Sequence, residues 1–351
     1  MVSEHGGNIY ANTGVIDFSA NISPFGINEK VIRAVIDSSR KWSDYPDPHC
    51  IELIRKISQH ECMDENRIVC GNGAADLIYR IAHAFKPQNA VICAPSFSEY
   101  QKALSEAECN IHNYTLYEEN DFLIGTEITE FIKANSPDIV FICTPNNPTG
   151  KLIMPDVLKN IAELCLKKDI LLVCDECFID FVSDGDKYSL KNSFNYYCII
   201  LKAFTKFFAM PGLRLGYALC GSEQIANKLK NSGQYWSIST PAQAAGIAAL
   251  DAYHDMDNRL TKEYISEVIK EERGYLTDNL SSLGIKVFSS DANYILLRSS
   301  LDLYGALLKK NILIRDCSNF SGLKKCFYRI AVKKHEDNVT LINAVKEVLN
   351  V

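Results

Sequence analysis

The sequence predicts an α/β protein, with a large domain on a mostly parallel sheet and a smaller α+β domain. Three observations carry this. From about Arg67 to Cys220, short β-rich runs alternate with amphipathic stretches, as strands and crossover helices do around a parallel sheet. Two long helical stretches follow, and after Gly284 the pattern turns to strands broken by one helix. At 351 residues the chain can bury one large and one smaller core.

Taken in order, helices are expected at 29–39 and 48–60, packed beside the small domain, which is then assembled from both chain ends. Strands follow at 67–70, 90–93, 111–116, 139–143, 170–174, 198–201 and 213–220. The helices between them fall at 75–85, 98–107, 127–134 and 155–167. Helices at 241–252 and 259–283 close the large domain. Beyond them, strands are expected at 286–288, 293–297, 312–315 and 327–332, with helices at 301–309 and from His335. The domain limits are therefore 1–60, 61–283 and 284–351. In such a fold the functional residues lie at the carboxyl ends of the strands.

A net charge of −6 offers nucleic acid or an anionic membrane no general attraction, so an anionic substrate needs a local cluster of cations. Met1-Val2-Ser3-Glu4-His5 lacks the features of a signal peptide. No apolar run approaches a membrane span, and the expected location is cytoplasmic. The thirteen cysteines are scattered through strand-like and helix-like runs, which suits reduced, buried thiols better than a disulfide framework. Cys174-Asp175-Glu176-Cys177 has no complementary pair, and no metal site is expected.

Four strings carry candidate chemistry, each at the end of an expected strand. In Gly71-Asn72-Gly73-Ala74-Ala75, glycines allow close backbone approach and a helix start offers N–H groups to a phosphate. A tight turn without a ligand would read the same. Thr144-Pro145-Asn146-Asn147-Pro148-Thr149-Gly150 is a rigid loop whose Asn could donate to a ligand ring. Asp175 closes the apolar run Ile170-Leu171-Leu172-Val173-Cys174, where a carboxylate is costly unless paired. A protonated pyridine nitrogen would pair with it, as would a helix cap or a lysine. Lys206 lies among apolar residues, a setting for a depressed pKa and Schiff-base chemistry. Arg214, eight residues on, could meet a phosphate.

Together, in this order, the strings resemble the aspartate-aminotransferase-like enzymes that use pyridoxal 5′-phosphate (PLP), fold type I, along essentially the whole chain. The resemblance implies that Lys206 carries the cofactor, Asp175 pairs with its ring nitrogen and Asn147 bonds its ring hydroxyl. Phe97 would stack on the ring. The phosphate would be held by the Gly73-Ala74-Ala75 turn, through the N–H groups of Ala74 and Ala75, and by Arg214. Tyr45 resembles a tyrosine that reaches the phosphate from a partner subunit, which implies a homodimer.

Further strings narrow the resemblance: His5-Gly6-Gly7-Asn8, Asp17-Phe18-Ser19-Ala20-Asn21-Ile22-Ser23-Pro24, Asp175 to Phe181, and Ile312-Leu313-Ile314-Arg315. These are similar to the threonine-phosphate decarboxylases of cobalamin biosynthesis, relatives of the histidinol-phosphate aminotransferases. The aminotransferases have a tyrosine three residues after the aspartate; here stands Phe178. His5, Asn8, Asn21, Arg315 and Arg329 are the implied substrate ligands, the arginines anchoring phosphate and carboxylate. Decarboxylation of a phosphorylated amino acid is the first implied activity, and a histidinol-phosphate type of transamination the alternative. Trp236 reads as a buried aromatic. One departure stands out: Ala203 occupies the place, three residues before the lysine, where the family has a phosphate-binding Ser or Thr.

Overall fold

The computed structural model describes residues 5–255 and 260–350. The chain opens with β1 (Ile16–Asp17), α1 (Glu29–Ser38) and α2 (Ile51–Glu61). An alternating run follows: β2 (Ile68–Gly71), α3 (Ala74–Phe85), β3 (Asn89–Ala94), α4 (Ser98–Glu106), β4 (Asn110–Thr115), α5 (Ile128–Asn135), β5 (Ile139–Cys143), α6 (Pro155–Lys167) and β6 (Leu171–Asp175). Then come β7 (Cys198–Ala203), β8 (Gly216–Cys220), α7 (Glu223–Lys230), α8 (Thr240–Tyr253) and α9 (Lys262–Ser282). The C-terminal part holds β9 (Lys286–Val287), β10 (Tyr294–Arg298), α10 (Leu303–Leu308), β11 (Ile312–Leu313), β12 (Arg315–Asp316), β13 (Phe327–Ala331) and α11 (His335–Leu349).

Seven strands form the central sheet in the order β2-β8-β7-β6-β5-β3-β4. From β7 to β4 every pairing is parallel, while β8 runs antiparallel to both its neighbours. Strand β5 reads Ile139-Val140-Phe141-Ile142-Cys143 and is buried throughout, as a parallel strand covered on both faces requires. Its side chains alternate between two cores. Val140 and Ile142 face a cluster with Val31, Leu53, Ile161 and Ala245. Phe141 and Cys143 face Leu77, Tyr100, Leu104 and Ile225.

A second sheet, β12-β13-β10-β9, is antiparallel, and α9 and α11 contribute Leu276 and Leu341 to its core. Strand β1 pairs parallel with β11, so the N-terminal segment joins the C-terminal strands. Helices α1 and α2 do not follow it, contrary to expectation. Their Val31, Leu53 and Ile57 join the large sheet's core, because α8 offers a small-residue groove. At Gly246 of α8 a β-carbon would stand 2.7 Å from Leu53 Cδ1.

Other differences have local causes. The strand expected at 213–220 starts at Gly216, since Pro211–Leu213 forms a 3₁₀ turn and Arg214 is left-handed (φ 56°). The run 312–315 divides into β11 and β12, which pair with different sheets; Ile-Leu-Ile-Arg carries no break signal. The helix expected from Pro48 begins at Ile51, after Asp47 has accepted the N–H groups of His49 and Ile51. The helix expected from Arg259 begins at Lys262, capped by Thr261; Arg259 itself lies outside the described residues. Eleven of the thirteen cysteines are buried, Cys326 is half-buried, and Cys62 is exposed at the end of α2. Cys174 and Cys177 face different apolar clusters.

Candidate active site

A cavity of about 390 Å³ opens at the carboxyl ends of β3, β5, β6 and β7. Lys206 enters it from the turn after β7, whose course is set by the Lys206 carbonyl accepting from the N–H groups of Ser23 and Ala209. Its ammonium stands 5.4 Å from the centre of the Phe178 ring, and among the described residues no carboxylate or hydrogen-bond acceptor pairs with it. Burial first, then the Arg329 guanidinium, bring its pKa down to about 8. Lys202, four residues earlier, goes elsewhere. Its Nζ lies 3.5 Å from Asp180; burial opposes its charge, but Asp180, Glu61 and Glu176 outweigh that and hold it above the ordinary lysine range.

Asp175 closes β6 at the cavity floor. Its Oδ2 accepts from the Tyr100 hydroxyl at 2.7 Å and its Oδ1 from the Cys177 N–H at 3.0 Å. Neither a helix cap nor a lysine explains it. Tyr100 is fully buried, stacked on Phe141 and edge-on to Phe97. Burial and then Asp175 push its pKa well up, so it remains a donor.

The opposite end suits an anion. Gly73 (φ 85°) caps α3, and Ala74 and Ala75, the first helical residues, line the cavity. A β-carbon at Gly73 would sit 2.8 Å from Arg214 Nη2, so the glycine leaves the guanidinium room beside the helix start. Arg214 Nη1 donates to the Pro211 carbonyl at 3.2 Å. Ala203 and Thr205 line the cavity as well.

In the loop after β5, peptide bonds before Pro145 and Pro148 are cis. Asn146 holds the loop, donating to the Pro95 carbonyl and to Thr149 Oγ1, while Asn147 lines the cavity. Asn147 Oδ1 accepts from Arg329 Nη1. Phe97, the residue before α4, lines the cavity too.

Arg315 and Arg329 are directly opposed in the β12–β13 register, and both are buried. Arg315 donates to the Asp316 carbonyl at 2.6 Å and to Asn319 Oδ1 at 2.7 Å. Arg329 Nη2 donates to the Ser19 carbonyl at 2.8 Å, and its buried Nε has no partner among the described residues. Burial lowers the pKa of both. Asn21, 2 % exposed, also lines the cavity, its Oδ1 without a hydrogen-bond partner among the described residues. His5 stands at the rim, its Nε2 2.8 Å from Glu99 Oε1. Asn8 is not in this cavity; it lines a small side recess of about 20 Å³ with His5 and Arg315.

Tyr45 is away from its own chain's cavity, 78 % exposed and stacked on Trp236 at 4.4 Å. Trp236 is 47 % exposed, not buried as its sequence suggested, because its ring packs on Tyr45 at the surface. Sequence reasoning missed Tyr100, Glu99, Thr205 and Ser19. For the first two a weak signal existed: both sit in the first turn of the helix that Phe97 opens.

The arrangement fits PLP. Lys206 would hold it covalently, Asp175 would face its ring nitrogen, Phe97 its ring, and Arg214 with the α3 start its phosphate.

Comparison with known proteins points the same way. The family model for aminotransferase class I and II matches residues 13–345. The threonine-phosphate decarboxylase of Salmonella typhimurium is 34 % identical over 99 % of this chain and 97 % of its own length. The putative threonine-phosphate decarboxylase of Caldanaerobacter subterraneus is 35 % identical, covering 98 % and 93 %. Among solved structures, the histidinol-phosphate aminotransferase of Clostridium acetobutylicum superposes with a TM-score of 0.86 at 31 % identity, covering 95 % of this chain and 98 % of its own. PLP is the cofactor of this fold. A match that runs from residue 13 to residue 345, through the turn that carries Lys206, leaves one assignment: the chain belongs to the class I and II aminotransferase family.

Proposed function

We propose that the chain is a PLP-dependent decarboxylase of a phosphorylated amino acid, converting L-threonine O-3-phosphate to (R)-1-amino-2-propanol O-2-phosphate and CO₂. The observation that carries this is the pair Arg315 and Arg329. Two buried guanidiniums opposed across one strand pair repel each other, and two anionic groups on one substrate relieve that cost. A phosphoamino acid brings a phosphate and a carboxylate. An amino alcohol phosphate brings one anion only.

The roles follow from chemistry. When bound, PLP supplies a sink for the electron pair left at the substrate Cα. The Asp175 carboxylate, oriented by Tyr100 and the Cys177 N–H, would hold a proton on the cofactor's ring nitrogen. The Lys206 amine, whose burial lowers its pKa, would be suited to deliver a proton to the substrate Cα once CO₂ has left. His5, Arg315 and Asn21 bind the substrate phosphate and its neighbours, Arg329 the carboxylate, and Asn8 supports His5 from the side recess. Phe178, which has no hydroxyl, would leave the cofactor's ring hydroxyl to Asn147. The enzyme works in the cytoplasm as a homodimer, with Tyr45 completing the partner's phosphate site.

Incubation with threonine phosphate tests this by measuring CO₂ and the phosphorylated amine, with PLP regenerated at each turnover. Conversion of histidinol phosphate with build-up of pyridoxamine phosphate, and no CO₂ from threonine phosphate, would replace the proposal with the aminotransferase reading.

A further inference from the structure

Glu99 is an anion on the wall of a cavity otherwise rich in cations. Left bare, its carboxylate would repel the substrate. It is not bare. Tyr79 of α3 donates its hydroxyl to Glu99 Oε2 at 3.0 Å. Burial, then this hydrogen bond, push the Tyr79 pKa up to about 12, so it stays a donor. Lys102 approaches Oε1 at 3.7 Å and His5 Nε2 at 2.8 Å. The Glu99 side chain is 12 % exposed and that of His5 43 %. Glu99 is thus fixed by two helices of the large sheet, while His5 projects from a short N-terminal segment.

That segment has a second anchor. The Gly7 N–H donates to Ser19 Oγ at 2.7 Å, and Ser19 Oγ donates to Asp17 Oδ1 at 2.6 Å. A β-carbon at Gly6 would lie 2.1 Å from the Ser19 carbonyl oxygen, so the segment is pressed onto Ser19. The same carbonyl accepts from Arg329. His5 is therefore restrained at two points, at its ring by the contact with Glu99 and along its segment by Ser19 through Gly7. A carboxylate this close to one ring nitrogen restrains the orientation of an imidazole.

We infer that Glu99 is a positioning residue for substrate phosphate, acting through His5. The inference rests on the phosphate-binding role proposed for His5. Glu99 sets the ring at the rim, so that the substrate phosphate meets a hydrogen-bonding imidazole in place of a bare carboxylate.

A double-mutant cycle on the cofactor-loaded enzyme tests this with Glu99→Gln, His5→Ala and the pair. Each single change is expected to raise KM about tenfold, with kcat within about threefold of the parent, and the pair is expected to be no worse than His5→Ala alone. Multiplying effects in the pair, or an unchanged KM in Glu99→Gln, would overturn the inference. Should Glu99→Gln fail to fold or load cofactor, Tyr79→Phe takes its place. It loosens Glu99 without removing the charge, and its smaller rise in KM should also vanish in the His5→Ala background; persistence there counts against Glu99. The cycle can be run on whichever phosphorylated amine the parent enzyme turns over. Absence of CO₂ from threonine phosphate would thus defeat the proposed function alone, and additive effects this inference alone.

Discussion

Two lysines four residues apart, Lys202 and Lys206, meet opposite fates because of what surrounds each amine. Three carboxylates hold Lys202 charged, whereas Lys206 faces a ring and a guanidinium and titrates near 8. The sign of the consequence is fixed by linkage. The folded pKa lies below the unfolded one, so between about 8 and about 10.4 the unfolded chain binds more protons, and stability rises with pH. The penalty is fully present below that window. Cofactor-free Lys206→Met should therefore exceed the cofactor-free parent in stability at pH 7 by on the order of 3 kcal/mol, the gap closing towards pH 10. Thermal unfolding of both apoproteins across that range checks it. A constant gap would mean that Lys206 carries no buried charge.

At the scale of elements, the phosphate end is a turn, a helix start and a strand end brought together. Gly73→Ala should force Arg214 aside, since the added carbon lands 2.8 Å from its Nη2, and the left-handed φ adds strain. PLP affinity should fall about tenfold, a loss of one charge-assisted contact; fluorescence titration would show it, and parental affinity would remove Arg214 from the site. At the end of β7, Ala203→Ser should instead tighten PLP about fivefold, a hydrogen bond being worth about 1 kcal/mol. No gain would mean that Thr205, which also lines the cavity, already fills the place. These parts were legible because each lies in one contiguous string after a strand. Lys206, Asp175, Asn147 and the Gly73 turn announced themselves in that way. Tyr100 did not, since its partner Asp175 is 75 residues distant and nothing local marks a tyrosine as the aspartate's donor. The two-residue strand β1 gave no periodicity to read, and β11 and β12 read as one strand because nothing in the sequence marks the break between them.

For the molecule as a whole, the open question is assembly. Tyr45, Tyr235 and Trp236 form an exposed aromatic patch, and patches of this kind mark interfaces. The chain should sediment as a dimer, and Tyr45→Ala should weaken PLP binding although Tyr45 lies outside its own cavity. Mixing Tyr45→Ala with Lys206→Ala chains supplies the check: one hybrid site then combines an intact lysine with an intact tyrosine, and activity should return. No recovery in proven hybrids would place Tyr45 outside the catalytic unit. The means to prove hybrids is already in the chain. Cys62 is the exposed thiol among thirteen cysteines, eleven of them buried, so once the half-buried Cys326 is replaced by Ser a maleimide dye should mark each chain at the end of α2. Donor on one stock and acceptor on the other turn that residue into an optical ruler, reporting subunit exchange in real time while the cavity is left untouched.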